Sequence, residues 1–364
     1  MKTPAAPEAG LNPPSIHFRV DALHPEREAG VWPRRPTGPR HERKEGSLKM
    51  SWSRRKFSAL LACLGLEVAL PLKTRAGRAL PFKLGIITDE LTDNLEQALD
   101  FISSYSLAYC ELRQMGQKNI MNAPQESLDQ AKRLIEKHGL RVSDIASPVF
   151  KYNLPEMPAR PEKRDTFRAD FTDQDTGELL NKSFELARFF GTSKVRVFSY
   201  WRVEDPENAY LAVRDRLAQA ASLAAKNGIV LVLENEHECN IGTGKELGRI
   251  LREVNSTNLR GNWDPGNAAM LHEVPYPDGY REVRGLFAHM HVKDVRKDPQ
   301  SGKLRWAPVG GGIIDWRGQL KALSETRYDG TMSLETHYRR PDGNRVESTR
   351  ESLEGLLKIL EEVA

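Results

Sequence analysis

From Pro81 onward, short runs rich in Val, Ile and Leu alternate with longer segments whose apolar residues recur at helical spacing. That alternation predicts a parallel sheet whose strands are joined by crossover helices. The expected strands are Lys83–Thr88, Tyr109–Arg113, Arg141–Ser147, Lys194–Ser199, Ile229–Leu233, Leu259–Trp263, Leu286–Val292 and Thr331–Leu334. Helices are expected over Leu95–Ser104, Gln125–His138, Asp175–Phe190, Glu207–Asn227 and Ser348–Val363. Two of them run into Gly139 and Gly228, residues suited to the left-handed turn that ends a helix. The fifth strand is an unbroken apolar run, as expected of a strand covered on both faces. Eight such units predict an α/β fold, a closed (β/α)8 TIM barrel forming a single domain over 80–364. An open doubly wound sheet usually shows a Gly-rich turn after its first strand, whereas here that strand runs into Thr88-Asp89-Glu90-Leu91.

The first 79 residues follow neither pattern. Residues 1–49 are rich in Pro, Arg and Glu with scattered apolar positions, and are expected to form a disordered basic extension, with Met50 a second candidate start. In 50–79, Ser53-Arg54-Arg55-Lys56-Phe57 precedes a modest apolar run, the order of a twin-arginine export signal. This predicts an exported, periplasmic protein; the alternative is an uncleaved basic tail on a cytoplasmic one. Charge changes the picture here. The whole chain carries a net +4, but residues 1–79 hold fifteen Lys or Arg against seven Asp or Glu. The remainder holds 39 basic and 43 acidic residues, so the folded part lacks the positive footprint of a nucleic-acid binder. No other segment is apolar for long enough to span a membrane, so stable membrane insertion of the mature protein is not expected. Of the three cysteines, Cys63 falls in the leader, while Cys110 and Cys239 show no metal-ligand spacing.

The chemistry collects where strands end, which in such a barrel is the mouth. The fifth strand leads into Glu234-Asn235-Glu236-His237-Glu238, and the sixth into Asp264-Pro265-Gly266-Asn267. The seventh carries His289-Met290-His291-Val292-Lys293-Asp294, and the eighth leads into Glu335-Thr336-His337. Taken singly, a Glu at a strand end is usually a salt-bridge partner, and an Asp before Pro-Gly a turn residue. Four consecutive strands that each deliver a carboxylate or imidazole to one rim point instead to one divalent ion. Three oxygen ligands and an imidazole suit Mn²⁺, Mg²⁺, Co²⁺ or Zn²⁺. Within the clusters, Glu236 or His237 could stand in for Glu234, and His289 for His291.

The stretches Leu233–Cys239, Asn262–Ala268, His289–Asp294, Pro308–Gly312 and Tyr328–Gly330 make the chain resemble the xylose isomerase-like TIM barrel superfamily, often labelled sugar phosphate isomerase/epimerase. The resemblance implies metal ligands at Glu234, Asp264, His291 and Glu335, with the two glutamates flanking a substrate and exchanging its protons. The chain departs from the ketose 3-epimerases of that superfamily. Their histidine three residues beyond the Asp ligand is Asn267 here, and their arginine six beyond the His ligand is Lys297, beside Arg296.

Other residues fit a polyol pocket. Glu111 and Arg113 share a face of the second strand's end, and His289, His291 and Lys293 a face of the seventh. Tyr200, Trp201 and Arg202 end the fourth strand and are expected as a wall against a sugar ring, with His237 and Asn267 nearby. Gly310–Gly312 could cradle an anion or form a turn. The expected function is a divalent-metal-dependent isomerase or epimerase of a sugar, keto-sugar or cyclitol, with Glu234 and Glu335 as catalytic carboxylates. Its partner is then a small carbohydrate, and a homo-oligomer is compatible with it. A lyase or dehydratase eliminating from a 3-keto-glycoside or inosose is the alternative. An abasic-site endonuclease needs more histidines than can be placed, and a non-catalytic sugar-binding protein needs no ligand set.

Overall fold

The computed structural model describes residues 82–157 and 167–363. The extension expected at 1–49 and the signal segment at 50–79 therefore lie outside the described residues. Eight parallel strands form a closed barrel: β1 (Lys83–Ile87), β2 (Tyr109–Leu112), β3 (Arg141–Ala146), β4 (Lys194–Val197), β5 (Val230–Glu234), β6 (Leu259–Trp263), β7 (Phe287–Val292) and β8 (Thr331–Leu334). Each strand pairs with its neighbours in sequence. Closure is made by β8 against β1, in register from Lys83↔Thr331 to Ile86↔Leu334. This is the expected (β/α)8 barrel.

The period of two along each strand sorts the residues. On β7, His289 and His291 face the barrel interior, while Met290 and Val292 are buried on the other side. On β6, Asn262 faces inward toward His291, whereas Trp263 turns outward and donates Nε1–H to Gln319 of the helix Trp316–Glu325, 3.0 Å away. Leu231, Leu233, Met332 and Leu334 are buried on β5 and β8 and belong to the main apolar core. Truncating one such leucine to alanine costs about 2–5 kcal/mol.

Helix ends follow the local chemistry. Asp205 caps Pro206–Lys226 through its side chain, and Thr243 and Glu246 form a reciprocal capping box on Gly244–Val254. Gly139 and Gly228 both adopt φ +67°, the left-handed turn expected of them. Several boundaries differ from the pattern reading by a residue or so. β1 stops at Ile87 because Thr88–Leu91 coil into a helical turn, and the last helix begins earlier, at Arg345. Two small antiparallel hairpins were not anticipated: Gln114–Met115 with Lys118–Asn119, and Asp294–Lys297 with Leu304–Ala307. The second occupies part of the long stretch between β7 and β8, and it carries Trp306 to the barrel mouth. Among the described residues, no helix is long and apolar enough to cross a membrane. Cys110 and Cys239 are both buried and unpaired.

Candidate metal centre at the barrel mouth

Glu234 is the last residue of β5, Asp264 and Glu335 directly follow β6 and β8, and His291 lies one residue before the end of β7. All four are buried, and each offers one donor atom within 4.8 Å of the others'. His291 Nδ1 lies 3.0 Å from Glu335 Oε2, 3.3 Å from Glu234 Oε1 and 3.8 Å from Asp264 Oδ2. Ligands about 2.1 Å from a shared ion in tetrahedral array stand ~3.4 Å apart, so this spacing fits a single divalent cation. The oxygens fit as well. No well-directed hydrogen bond reaches Glu234 Oε2, Asp264 Oδ2 or Glu335 Oε2, although Arg196 or Lys293 lies beside each. Three carboxylates, two of them with an underused oxygen facing His291 Nδ1, and one imidazole make a donor set suited to Mn²⁺, Mg²⁺, Co²⁺ or Zn²⁺.

Local structure fixes each donor. Asp264 is the N-cap of Pro265–Met270, its Oδ1 accepting the Asn267 N–H at 2.9 Å, which leaves Oδ2 for the centre. Its backbone is held by Asn235, whose side chain accepts from Asp264 N and donates to Asp264 O, both at 2.8 Å. Asn267 donates Nδ2–H to Glu234 Oε1 at 3.1 Å and meets His237 Nδ1 at 2.9 Å. His291 turns its other nitrogen, Nε2, to Glu111 Oε1 at 3.1 Å. A carboxylate on the far nitrogen of a ligating histidine fixes its tautomer and orientation.

Glu111 and His289 were expected to line the substrate pocket. The structure instead sets them into a fully buried network under the ligand set. His289 Nε2 lies 3.0 Å from Glu111 Oε2 and 3.4 Å from Asp144 Oδ1, and its Nδ1 lies 2.6 Å from Thr331 Oγ1. Two residues before His291 on the same strand, His289 lies one layer further from the mouth. The neighbours of the set make other contacts. Glu236 turns away to Lys151 at 3.3 Å and His237 at 2.7 Å, leaving Glu234 in the set.

Charge is dense here. Burial alone would raise the Glu335 carboxyl, but Lys293, His337 and His291 outweigh it and hold it well below the usual range. Burial likewise opposes the ionised Glu234, and His291 with Arg196 outweighs it. Burial and the Glu234 carboxylate push Asp264 up to about 6 despite Lys293. Burial would lower His291, but Glu111, Glu234 and Glu335 hold it well above its ordinary value.

A cavity of about 460 Å³ adjoins the centre, lined by Asp89, Glu90, Arg113, Gln114, Arg168, Trp306, His337, Arg339 and Arg345. Arg113 joins the two, bonding Glu335 Oε1 at 2.6 Å and Glu90 Oε1 at 2.7 Å. Trp306 stands between two imidazoles, edge to face with His337 at 5.1 Å and with His237 at 5.9 Å. Of the expected wall, Trp201 is buried near Lys151, whose Nζ lies 5.6 Å from its ring. Arg202 bonds Glu246 and the carbonyls of Cys239 and Asn240, anchoring the loop after β5. The Gly310–Gly312 loop does bind an anion, and it is the chain's own: the N–H groups of Gly310 and Gly312 donate to Asp294 Oδ2 at 2.9 and 3.2 Å. Pattern reading missed Asp89, Glu90, Lys151, Arg196 and Trp306. Only Asp89 and Glu90 carried a signal, as acidic residues at the end of the first strand.

No curated protein matches the chain by sequence. Solved structures similar to it include the IOLI protein with a bound zinc atom, at 18% identity and TM-score 0.60, covering 78% of this chain and 99% of that one. Another is the 3-keto-D-glucoside 4-epimerase YcjR from E. coli, at 17% identity and TM-score 0.56, covering 76% and 99%. A third is the probable 3-DHS dehydratase AsbF from Bacillus anthracis, at 18% identity and TM-score 0.57, covering 74% and 98%. At such identities the likeness is one of fold. The family model described as "Xylose isomerase-like TIM barrel" matches residues 99–359, most of the barrel and well over half of the chain, and the chain belongs to that family.

Proposed function

We propose that the chain is a divalent-metal-dependent isomerase or epimerase of a sugar, keto-sugar or cyclitol, working by proton transfer between carboxylates. The convergence of Glu234, Asp264, His291 and Glu335 at the barrel mouth carries this reading. A divalent ion held by these four residues would supply a Lewis acid that polarises the substrate carbonyl and acidifies the adjacent C–H. The chain supplies the rest. Glu234 and Glu335 are the two glutamates of the set, and either can accept a proton. One takes the proton from the carbon beside the carbonyl, and the other, or the same one, returns it: to the opposite face of that carbon in an epimerisation, or to the former carbonyl carbon in an isomerisation, where the hydroxyl proton passes to the former carbonyl oxygen. Arg113, bonded to Glu335, holds that carboxylate toward the cavity where the ring would lie.

The test is NMR in D₂O with a panel of ketoses, inososes and keto-glycosides and the metal-loaded protein. The expected result is solvent deuterium at the carbon next to the carbonyl of one substrate class, together with an isomeric product. A product with a new double bond, or a released aglycone, would replace this reading by the lyase one. We further propose export through the Arg54-Arg55 signal, which favours an unphosphorylated substrate, because sugar phosphates are mainly cytoplasmic. Replacing both arginines with lysine should then keep the protein in the cytoplasm, and periplasmic accumulation despite that change would refute the route.

A further inference from the structure

The ligand set already holds a cation of the chain's own. Lys293 is fully buried, and its Nζ lies 2.6 Å from Glu335 Oε2, 2.8 Å from Asp264 Oδ2 and 3.8 Å from Glu234 Oε1. The ammonium thus stands among three of the four donors. The two arginines of the site approach different atoms. Arg113 takes Glu335 Oε1 at 2.6 Å and Arg196 lies 3.3 Å from Glu234 Oε2, whereas Asp264 has Lys293 as its nearest cation.

The stem of Lys293 is directed there by packing. It crosses Gly266, where an added Cβ would overlap Lys293 Cγ and crowd Cδ. Gly266 belongs to the same Asp264-Pro265-Gly266-Asn267 run that supplies a ligand. The segment that presents Asp264 therefore also leaves the gap through which the lysine reaches it. Trp306 closes the far side, its ring 5.4 Å from Nζ.

A divalent ion and an ammonium cannot both use Glu335 Oε2 and Asp264 Oδ2. At the few ångströms that separate ligands of one site, their mutual repulsion in a dry interior is severe. Resting on the metal-site reading above, we infer that Lys293 is an internal counter-ion that competes with the divalent metal. The ion enters as the ammonium leaves. Lys293 thus stabilises the protein without metal, where three clustered carboxylates would otherwise repel, and weakens metal binding. A lysine serving only the substrate would do neither.

The two roles separate in measurements that need no substrate. Mn²⁺ and Zn²⁺ binding to the full chain is followed by calorimetric titration, and melting is recorded with and without ion. For Lys293→Met, metal affinity should rise by at least ~10-fold. Its melting temperature should fall without metal and return to the wild-type value at saturating metal. Gly266→Ala keeps the charge but pushes the stem aside, and should tighten metal binding by a smaller factor; it carries the test should Lys293→Met not fold without metal. One equivalent of ion bound with unchanged or weaker affinity in both variants would overturn the competition and leave the metal site standing. Absence of ion binding in wild type and variants alike would overturn both.

Discussion

The two halves of the barrel divide the electrostatic work unequally. Strands β5 to β8 and the residues that directly follow them supply the candidate donors Glu234, Asp264, His291 and Glu335. Strands β1 to β4 and their loops supply none of that set. They contribute Arg113, Lys151 and Arg196, which pair with Glu335, Glu236 and Glu234, and Glu111, which pairs with His291. The first offers the candidate ligands together with a cation of its own, Lys293, and the other offers charged partners only. A buried carboxylate cluster is costly unless its charge is matched by partners with good geometry. The closed barrel is what brings them within bonding distance across its interior.

That division can be broken from either side, with effects of different size. On the ligand side, Glu335→Gln keeps the side chain's shape and one oxygen but removes the base. Turnover should fall by ~10²–10⁴ while metal binding weakens only moderately. Steady-state kinetics with metal titration checks this, and a normal rate in both Glu335→Gln and Glu234→Gln would remove the proton-transfer role. On the supporting side, Glu111→Gln takes away the carboxylate behind His291. Metal affinity should drop by ~10–100-fold with the fold intact. Unchanged affinity would confine Glu111 to packing.

The pair His237 and Glu236 gives a smaller, pH-dependent effect. Burial would lower the His237 pKa, but Glu236 and Asn267 hold it above its ordinary value. The folded state thus binds the proton more tightly than the unfolded chain. The stabilisation is complete below the ordinary histidine pKa of ~6.5 and is lost as pH rises through the raised folded value. Glu236→Gln should lower the His237 midpoint in an NMR titration and flatten stability across that window; an unmoved midpoint would assign the shift elsewhere. The smallest effect belongs to Arg202, which anchors Glu246 at 2.8 Å rather than the cavity. Arg202→Ala should cost about 1 kcal/mol in thermal unfolding and leave turnover within twofold. A large loss of turnover would return Arg202 to the substrate pocket.

The same contrast explains what pattern reading could see. The four candidate donors stand out in the sequence because each sits at the end of a periodic strand, in a short polar run that interrupts an apolar one. Choosing Glu234 over Glu236, or His291 over His289, was harder. Glu236 stands two residues beyond the strand end, where the chain turns toward Lys151, and His289 shares its face with His291 but one layer down. The compensating half was scarcely legible. Lys151 and Arg196 reach the site from a loop and an interior strand position, and nothing in their local sequence announces a partner more than 35 residues away. Lys293 stood in plain view in the seventh cluster. Its place inside the ligand set depends on the gap at Gly266, a contact between segments that periodicity does not encode.

The account stands on one ion shared by Glu234, Asp264, His291 and Glu335, and metal stoichiometry with X-ray absorption at the bound ion tests it most directly. The expected result is one divalent ion per chain, with one imidazole and carboxylate oxygens at ~2.0–2.3 Å, lost in Asp264→Asn and His291→Asn. A folded, active protein that binds no ion, or an ion whose first shell is unchanged in those variants, would contradict it.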